Sequence, residues 1–123
     1  MASRRPVIAG NWKMNTTLGE ALGLAKEVAK VADAHAACDT IIIPPSCFIA
    51  PILKVIEGSA LKVGAQNVHP ADKGAFTGEL SAAMLKSIGA HYVVCGHSER
   101  RHIFGESSGW VGDKVSAAVQ AGL

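Results

Sequence analysis

Four times along this chain a short apolar run gives way to polar residues and then to a segment of helical periodicity. That recurrence constrains the fold more than any other feature of the sequence. Strands joined through helices cannot turn back as hairpins. They lie parallel, connected by right-handed crossovers, in an α/β sheet. The strand segments are Pro6–Gly10, Thr40–Ile43, Leu61–Ala65 and Tyr92–Cys95. Thr40-Ile41-Ile42-Ile43 is unbroken and mostly β-branched, as suits a strand covered on both faces, and Pro44-Pro45 stops it.

The intervening segments carry helix signals. Thr17-Leu18-Gly19-Glu20 has the pattern of a capping box, and Leu18, Leu22, Ala25, Val28 and Ala32 then share one helical face. Ser46 is placed to cap a second helix, with Phe48, Ile49, Ile52, Leu53 and Ile56 inward and Pro51 in the first turn. A third helix is expected over Glu79–Ile88, with Leu80, Met84, Leu85 and Ile88 on one side and Gly89 as its C-terminal cap. Ser107 or Ser108 opens a fourth, carrying Val111, Val115 and Val119. Val68 to Gly78 is a long loop of small and polar residues, a length that points to function or to a partner.

A length of 123 residues suffices for one domain, and 49% hydrophobic with 18% charged residues is a packable composition. Net charge is only +2, and the pairs Arg4-Arg5 and Arg100-Arg101 stand alone without interleaved aromatics, so no nucleic-acid partner is indicated. No apolar run approaches the roughly 18 residues of a membrane span. Met1–Arg5 has no apolar stretch behind it, so no secretory signal is expected, although a longer organelle-targeting extension stays open. Three irregularly spaced cysteines, Cys38, Cys47 and Cys95, point to a reducing compartment such as the cytoplasm. The histidines lack metal-site spacing, so no metal is expected. Neither GxGxxG nor GxxxxGK[ST] follows a strand, which excludes the common nucleotide-binding loops.

Function is carried by the strand ends. In a parallel sheet every strand C-terminus emerges on one side, which brings Asn11, Lys13, Gln66, Asn67, His97 and Glu99 to one face. Tyr92-Val93-Val94-Cys95-Gly96 runs directly into His97-Ser98-Glu99-Arg100-Arg101, a strand that ends in a titratable cluster. Lys13 supplies a positive charge suited to a phosphate or a developing oxyanion. Asn11 supplies an amide donor, and His97 an acid, a base or a hydrogen-bond donor. Taken singly, each reads as readily as a solvated loop residue; their convergence is what indicates a site.

Asn11-Trp12-Lys13-Met14-Asn15, Gly64-Ala65-Gln66-Asn67, Gly74-Ala75-Phe76-Thr77-Gly78-Glu79 and Cys95-Gly96-His97-Ser98-Glu99-Arg100-Arg101 resemble successive motifs of the triosephosphate isomerase family, in its order and spacing. The resemblance implies a TIM (β/α)8 barrel, an α/β fold of which residues 1–123 carry the N-terminal half as part of a single domain. It implies interconversion of dihydroxyacetone phosphate and glyceraldehyde 3-phosphate through an enediol(ate), in glycolysis and gluconeogenesis, with no cofactor. Asn11 and Lys13 match the substrate-binding pair, Lys13 facing the phosphate and the enediolate oxygen. His97 matches the electrophile, which in this family works as a neutral imidazole beside a helix N-terminus, here supplied from Ser98 onward. Glu99 matches a neighbouring carboxylate that supports these groups. The loop matches one that reaches into a partner subunit, so Met14, Gln66, Phe76, Thr77, Gly78 and Glu79 are expected at a homodimer interface.

Two departures matter. Ser107-Ser108-Gly109-Trp110 is untypical of the family and leaves the start of the last helix open. A full barrel needs about 250 residues, and the family's glutamate base, hinged lid and glycine-rich phosphate loops belong to its second half. The isolated chain is therefore expected to be inactive, with two unpaired sheet edges. Two other readings remain: a half-barrel acting as a binding or assembly module, and a different phosphate-binding (β/α)8 enzyme.

Overall fold

The apolar runs become strands β1 (Val7–Asn11), β2 (Asp39–Ile43), β3 (Lys62–Ala65) and β4 (Tyr92–Val93) in the computed structural model, which describes residues 3–123. They alternate with helices α1 (Leu18–Ala34), α2 (Ile49–Val55), α3 (Ala82–Ser87), α4 (Ser98–His102) and α5 (Ser108–Gln120). All pairings are parallel, with Ile8 opposite Thr40, Ile42 opposite Val63 and Ala65 opposite Val93. The strand order is β1-β2-β3-β4, without a reversal. An unreversed order is the wall of a barrel; a doubly wound sheet would change direction and open its crevice at the switch point.

The core lies between the central strands and α1–α3. Ile42, Ile49, Ile52, Val63, Ala65, Val68 and Leu85 are all buried in one cluster. The sheet edges are open. β1 bonds only to β2, and its Val7 and Ile8 are 52% and 60% exposed.

The helix faces differ from those expected. On α1 the expected Ala25 and Ala32 are buried, joined by Ala21 and Ala29, whereas Leu18 is exposed and Leu22 and Val28 are only partly covered. A helix pressed closely onto a sheet selects small side chains at the contact, and the large residues move to its flanks. At its start the Glu20 carboxylate accepts the Thr17 N–H at 3.0 Å, as the capping-box pattern requires.

Ser46 does not cap α2. Pro44-Pro45 hold the chain extended, a 3₁₀ turn at Ser46–Phe48 follows, and α2 begins at Ile49 with Pro51 in its first turn. The helix expected over Glu79–Ile88 contracts to α3. Ser81 accepts the Met84 N–H at 3.1 Å and fixes the start, while Leu80 gives its carbonyl to the His69 N–H instead. Met84 and Ile88 are exposed. At α5 the cap is Ser107, which accepts the Trp110 N–H at 3.1 Å. Val115 and Val119 face outward; the buried residues of α5 are Lys114 and Ala118, turned inward by the ion pairs described below.

Gly96 seats the functional loop. Its φ is +68°, and a Cβ there would lie 2.6 and 2.8 Å from the γ-carbons of Val111 on α5. The branched valine has little rotamer freedom with which to yield. Gly96→Ala is expected to cost about 2 kcal/mol or more, read from the urea midpoint. Val111→Ala in that background should recover the overlap component and leave the backbone strain.

Candidate functional site

At the C-terminal face of the strands a cleft of about 440 Å³ is lined by Asn11, Lys13, Gln66, Asn67, His97 and Glu99, the six residues that parallel strands were expected to bring together. Thr77, Gly78 and Glu79 border it from the long loop, and Met14 from the loop after β1. A larger cleft, about 490 Å³, lies on the opposite face near Cys38, Lys62 and His91. Two of its charged groups are engaged structurally, in the Arg5–Asp39 pair at 2.8 Å. The convergence of polar and charged side chains from three strand ends favours the smaller cleft.

Lys13 follows β1 in the left-handed region, with φ +55°. That conformation costs a non-glycine residue about 1–2 kcal/mol. Side chains from two strand ends hold it. Asn11 Oδ1 accepts the Lys13 N–H at 2.9 Å, and Gln66 Nε2 donates to the Lys13 carbonyl at 2.7 Å. With its oxygen so engaged, Asn11 offers its NH₂ group for a ligand. The Lys13 ammonium meets Glu99 Oε1 at 2.7 Å with both side chains substantially exposed. This contact, first of all the hydrogen bond from Lys13, holds the Glu99 carboxyl below the usual carboxylate range.

His97 is the N-cap of α4. Its Nδ1 accepts the Glu99 backbone N–H at 3.2 Å. An atom that accepts from an amide carries no proton, so the ring proton of the imidazole belongs on Nε2. The approach of Glu99 Oε2 to Nδ1, at 3.6 Å, is too long for a hydrogen bond and would need Nδ1 to be protonated. The shorter backbone bond decides the tautomer. His97 can then act as a donor through Nε2–H.

Beneath the cleft lies a buried ion network that helical periodicity does not reveal. Lys114 on α5 is 1% exposed. Its ammonium reaches Glu106 Oε2 at 2.9 Å and Asn67 Oδ1 at 2.8 Å. Arg100 on α4 meets the same carboxylate oxygen at 2.6 Å, and its guanidinium lies over the Phe104 ring at 4.6 Å. Burial pushes the Glu106 carboxyl up, but the hydrogen bonds from Arg100 and Lys114 more than offset it, leaving the group below the usual range. Glu106 Oε1 is buried without a partner among the described residues. A lysine within a helix reads as solvent-facing, so only the nearby opposite charges of Arg100 and Glu106 could have hinted at this network.

The residues expected at an interface fall into two groups. Met14 is 95% exposed, and Thr77, Gly78 and Glu79 are exposed at the cleft rim. Phe76 stacks on the buried His69 with ring centroids 4.0 Å apart and does not line the cleft. Gln66 is half-buried, with its amide turned inward.

The chain matches the family described as triosephosphate isomerase over residues 6–123. It is 46% identical over 121 residues to the triosephosphate isomerase of Clostridium novyi (strain NT), covering 98% of this chain and 48% of that protein. It is 49% identical over 122 residues to that of Cytophaga hutchinsonii, with the same coverage. The crystal structure of triosephosphate isomerase from Bartonella henselae superposes with a TM-score of 0.87 at 43% identity, over 98% of this chain and 49% of that one. The chain thus spans about half the length of the curated relatives it matches, and its four βα units are half of the barrel.

Lys114→Met strips the Glu106 carboxylate of its buried cation and Asn67 Oδ1 of its donor, leaving the part-exposed Arg100 as the remaining partner, and is expected to destabilise by about 1–3 kcal/mol. Combining it with Glu106→Gln should recover part of that loss in chemical denaturation. The sign of the pH dependence follows from the depressed Glu106 carboxyl. Its stabilisation is fully present above the unfolded carboxylate value of about 4.3 and is lost as pH falls through the folded value. Glu106→Gln should therefore flatten the decline in stability on acidification, measured by thermal melts across that window.

Proposed function

The chain belongs to the triosephosphate isomerase family, and from that premise we propose that its cleft is the triose-phosphate site of an aldose–ketose isomerase. The observation that carries this reading is the meeting, over one cleft, of a lysine ammonium and an imidazole with its donor on Nε2. Interconversion of dihydroxyacetone phosphate and glyceraldehyde 3-phosphate moves a proton between adjacent carbons and places negative charge on the carbonyl oxygen in the enediolate. Groups that stabilise that charge must be fixed before it develops. Lys13 balances the phosphate and the enediolate oxygen. The Asn11 amide orients the substrate. His97 Nε2–H polarises the carbonyl and passes protons between the two oxygens. Glu99 holds the Lys13 ammonium. No cofactor takes part. The setting is cytoplasmic glycolysis and gluconeogenesis. Met14 and the loop ending in Phe76, Thr77, Gly78 and Glu79 dock on a second copy to make a homodimer.

Proton abstraction from carbon also needs a carboxylate base free of other partners. Glu99 is committed to Lys13, and Glu79 stands at the exposed rim. This half of the site accordingly binds and polarises substrate without supplying the base, so the chain alone does not turn over. A second reading, a half-barrel that functions by assembly, is favoured by the open β1 edge at Val7 and Ile8.

Lys13→Ala is expected to weaken binding of a triose phosphate or a phosphorylated enediolate analogue by more than about tenfold in calorimetry, because an anion loses its charge partner. Unchanged affinity would remove Lys13 from the site. The isolated chain should show no isomerase turnover above a buffer control at matched phosphate concentration. Turnover that disappears on His97→Ala would contradict the assignment of the base elsewhere. A chain that sediments as a dimer and binds no triose phosphate would favour the assembly reading.

A further inference from the structure

Gln66 has two amide protons, and both are committed to main-chain carbonyls at other strand ends. Nε2 donates to the Lys13 carbonyl at 2.7 Å and to the Ile43 carbonyl at 3.1 Å. The Ile43 carbonyl also accepts the Trp12 N–H at 3.0 Å. One side chain at the end of β3 therefore ties the end of β2 to the loop that leaves β1. Its attachment point on that loop is Lys13, at φ +55°.

A left-handed lysine returns to an ordinary conformation unless its surroundings prevent it. No helix or strand ladder supplies that constraint, since Lys13 lies outside every element. Its N–H goes to Asn11 and its carbonyl to Gln66, both through side chains. Reversal of φ would swing the Cα–Cβ bond and carry the ammonium away from Glu99 Oε1, now at 2.7 Å. The Asn11 contact comes from the last residue of β1, two positions away, and fixes the Lys13 N–H alone. The Gln66 contact is anchored in the sheet and sets the position of the loop relative to His97 and Glu99.

We propose that Gln66 is the positioning residue for Lys13, holding its backbone in the left-handed conformation that aims the ammonium into the cleft. Its consequence for catalysis rests on the triose-phosphate reading of the site; its structural content does not. Gln66 touches no reacting group in this account and acts only through Lys13.

The test uses nuclear magnetic resonance on the full chain. In the unsubstituted protein, Gln66 Nε2 should show through-hydrogen-bond couplings to the Lys13 and Ile43 carbonyl carbons, and the Lys13 Cα shift should report the left-handed region. Gln66→Met keeps length and bulk but removes both donors. In that variant the Lys13 Cα shift should leave the left-handed range, and the Glu99 carboxyl should titrate higher, toward the value seen in a Lys13→Met control. A loss of stability without movement of either signal would mean that Gln66 is merely structural, and would overturn the proposal. If Gln66→Met does not fold, absence of the couplings in the unsubstituted chain overturns it equally. In a separate arm, affinity for a triose phosphate should fall by roughly tenfold in Gln66→Met. If the unsubstituted chain binds no triose phosphate, the functional reading fails, while the spectroscopic signals still decide the role of Gln66.

Discussion

Parallel strands must all leave a sheet on the same side, and the functional part of this structure depends on that constraint. The strand order β1-β2-β3-β4 sets Lys13, Gln66 and His97 side by side although more than eighty residues separate the first from the last. The sheet supplies rigidity from below through β2 and β3, whose Ile42, Ile43, Val63 and Ala65 are all buried. The loops above it can then depart from ordinary backbone geometry. The left-handed Lys13 and the tight Gly96 turn lie within three residues of strand ends, where a packed layer can hold them.

Charge is arranged in two layers with different duties. The Lys13–Glu99 contact is open to solvent, so it adds little to stability and leaves the ammonium able to meet an incoming anion. In the deeper cluster Lys114 and Glu106 are buried, with Arg100 at its edge, and such charges persist only because they are paired. It joins α4, α5 and, through Asn67, the loop after β3. The helix whose first turn fixes His97 is thereby anchored to the same base as the rest of the cleft. Glu106 Oε1, which has no partner among the described residues, makes that foundation sensitive to any change in its neighbours.

Much of this was legible in the sequence, for reasons that differ from residue to residue. The strands were readable because β-branched runs such as Thr40–Ile43 have few other uses. The site was readable because the topology alone brings strand ends together, and the motif order named the family that the comparisons then matched. Helix faces were less legible. On α1 the expected face included Ala25 and Ala32, which are buried, but took Leu18, Leu22 and Val28 in place of Ala21 and Ala29, since periodicity counts apolar bulk and close packing on a sheet rewards its absence. Ser46 and Ser81 show the limit of reading caps locally: two prolines displaced the first, and the His69–Leu80 backbone bond made the second the start of α3. Lys114 was illegible because its partners, Glu106 and Asn67, come from two segments apart from its own helix.

The central claim is that this face presents a lysine cation beside an imidazole whose proton is on Nε2. The most direct measurement is the pair of ¹⁵N shifts of the His97 ring in the unliganded chain at neutral pH. The account predicts an unprotonated, hydrogen-bond-accepting Nδ1 and a protonated Nε2. A protonated Nδ1, whether as the other tautomer or as the imidazolium, would contradict the Glu99 N–H contact on which the electrophile assignment rests.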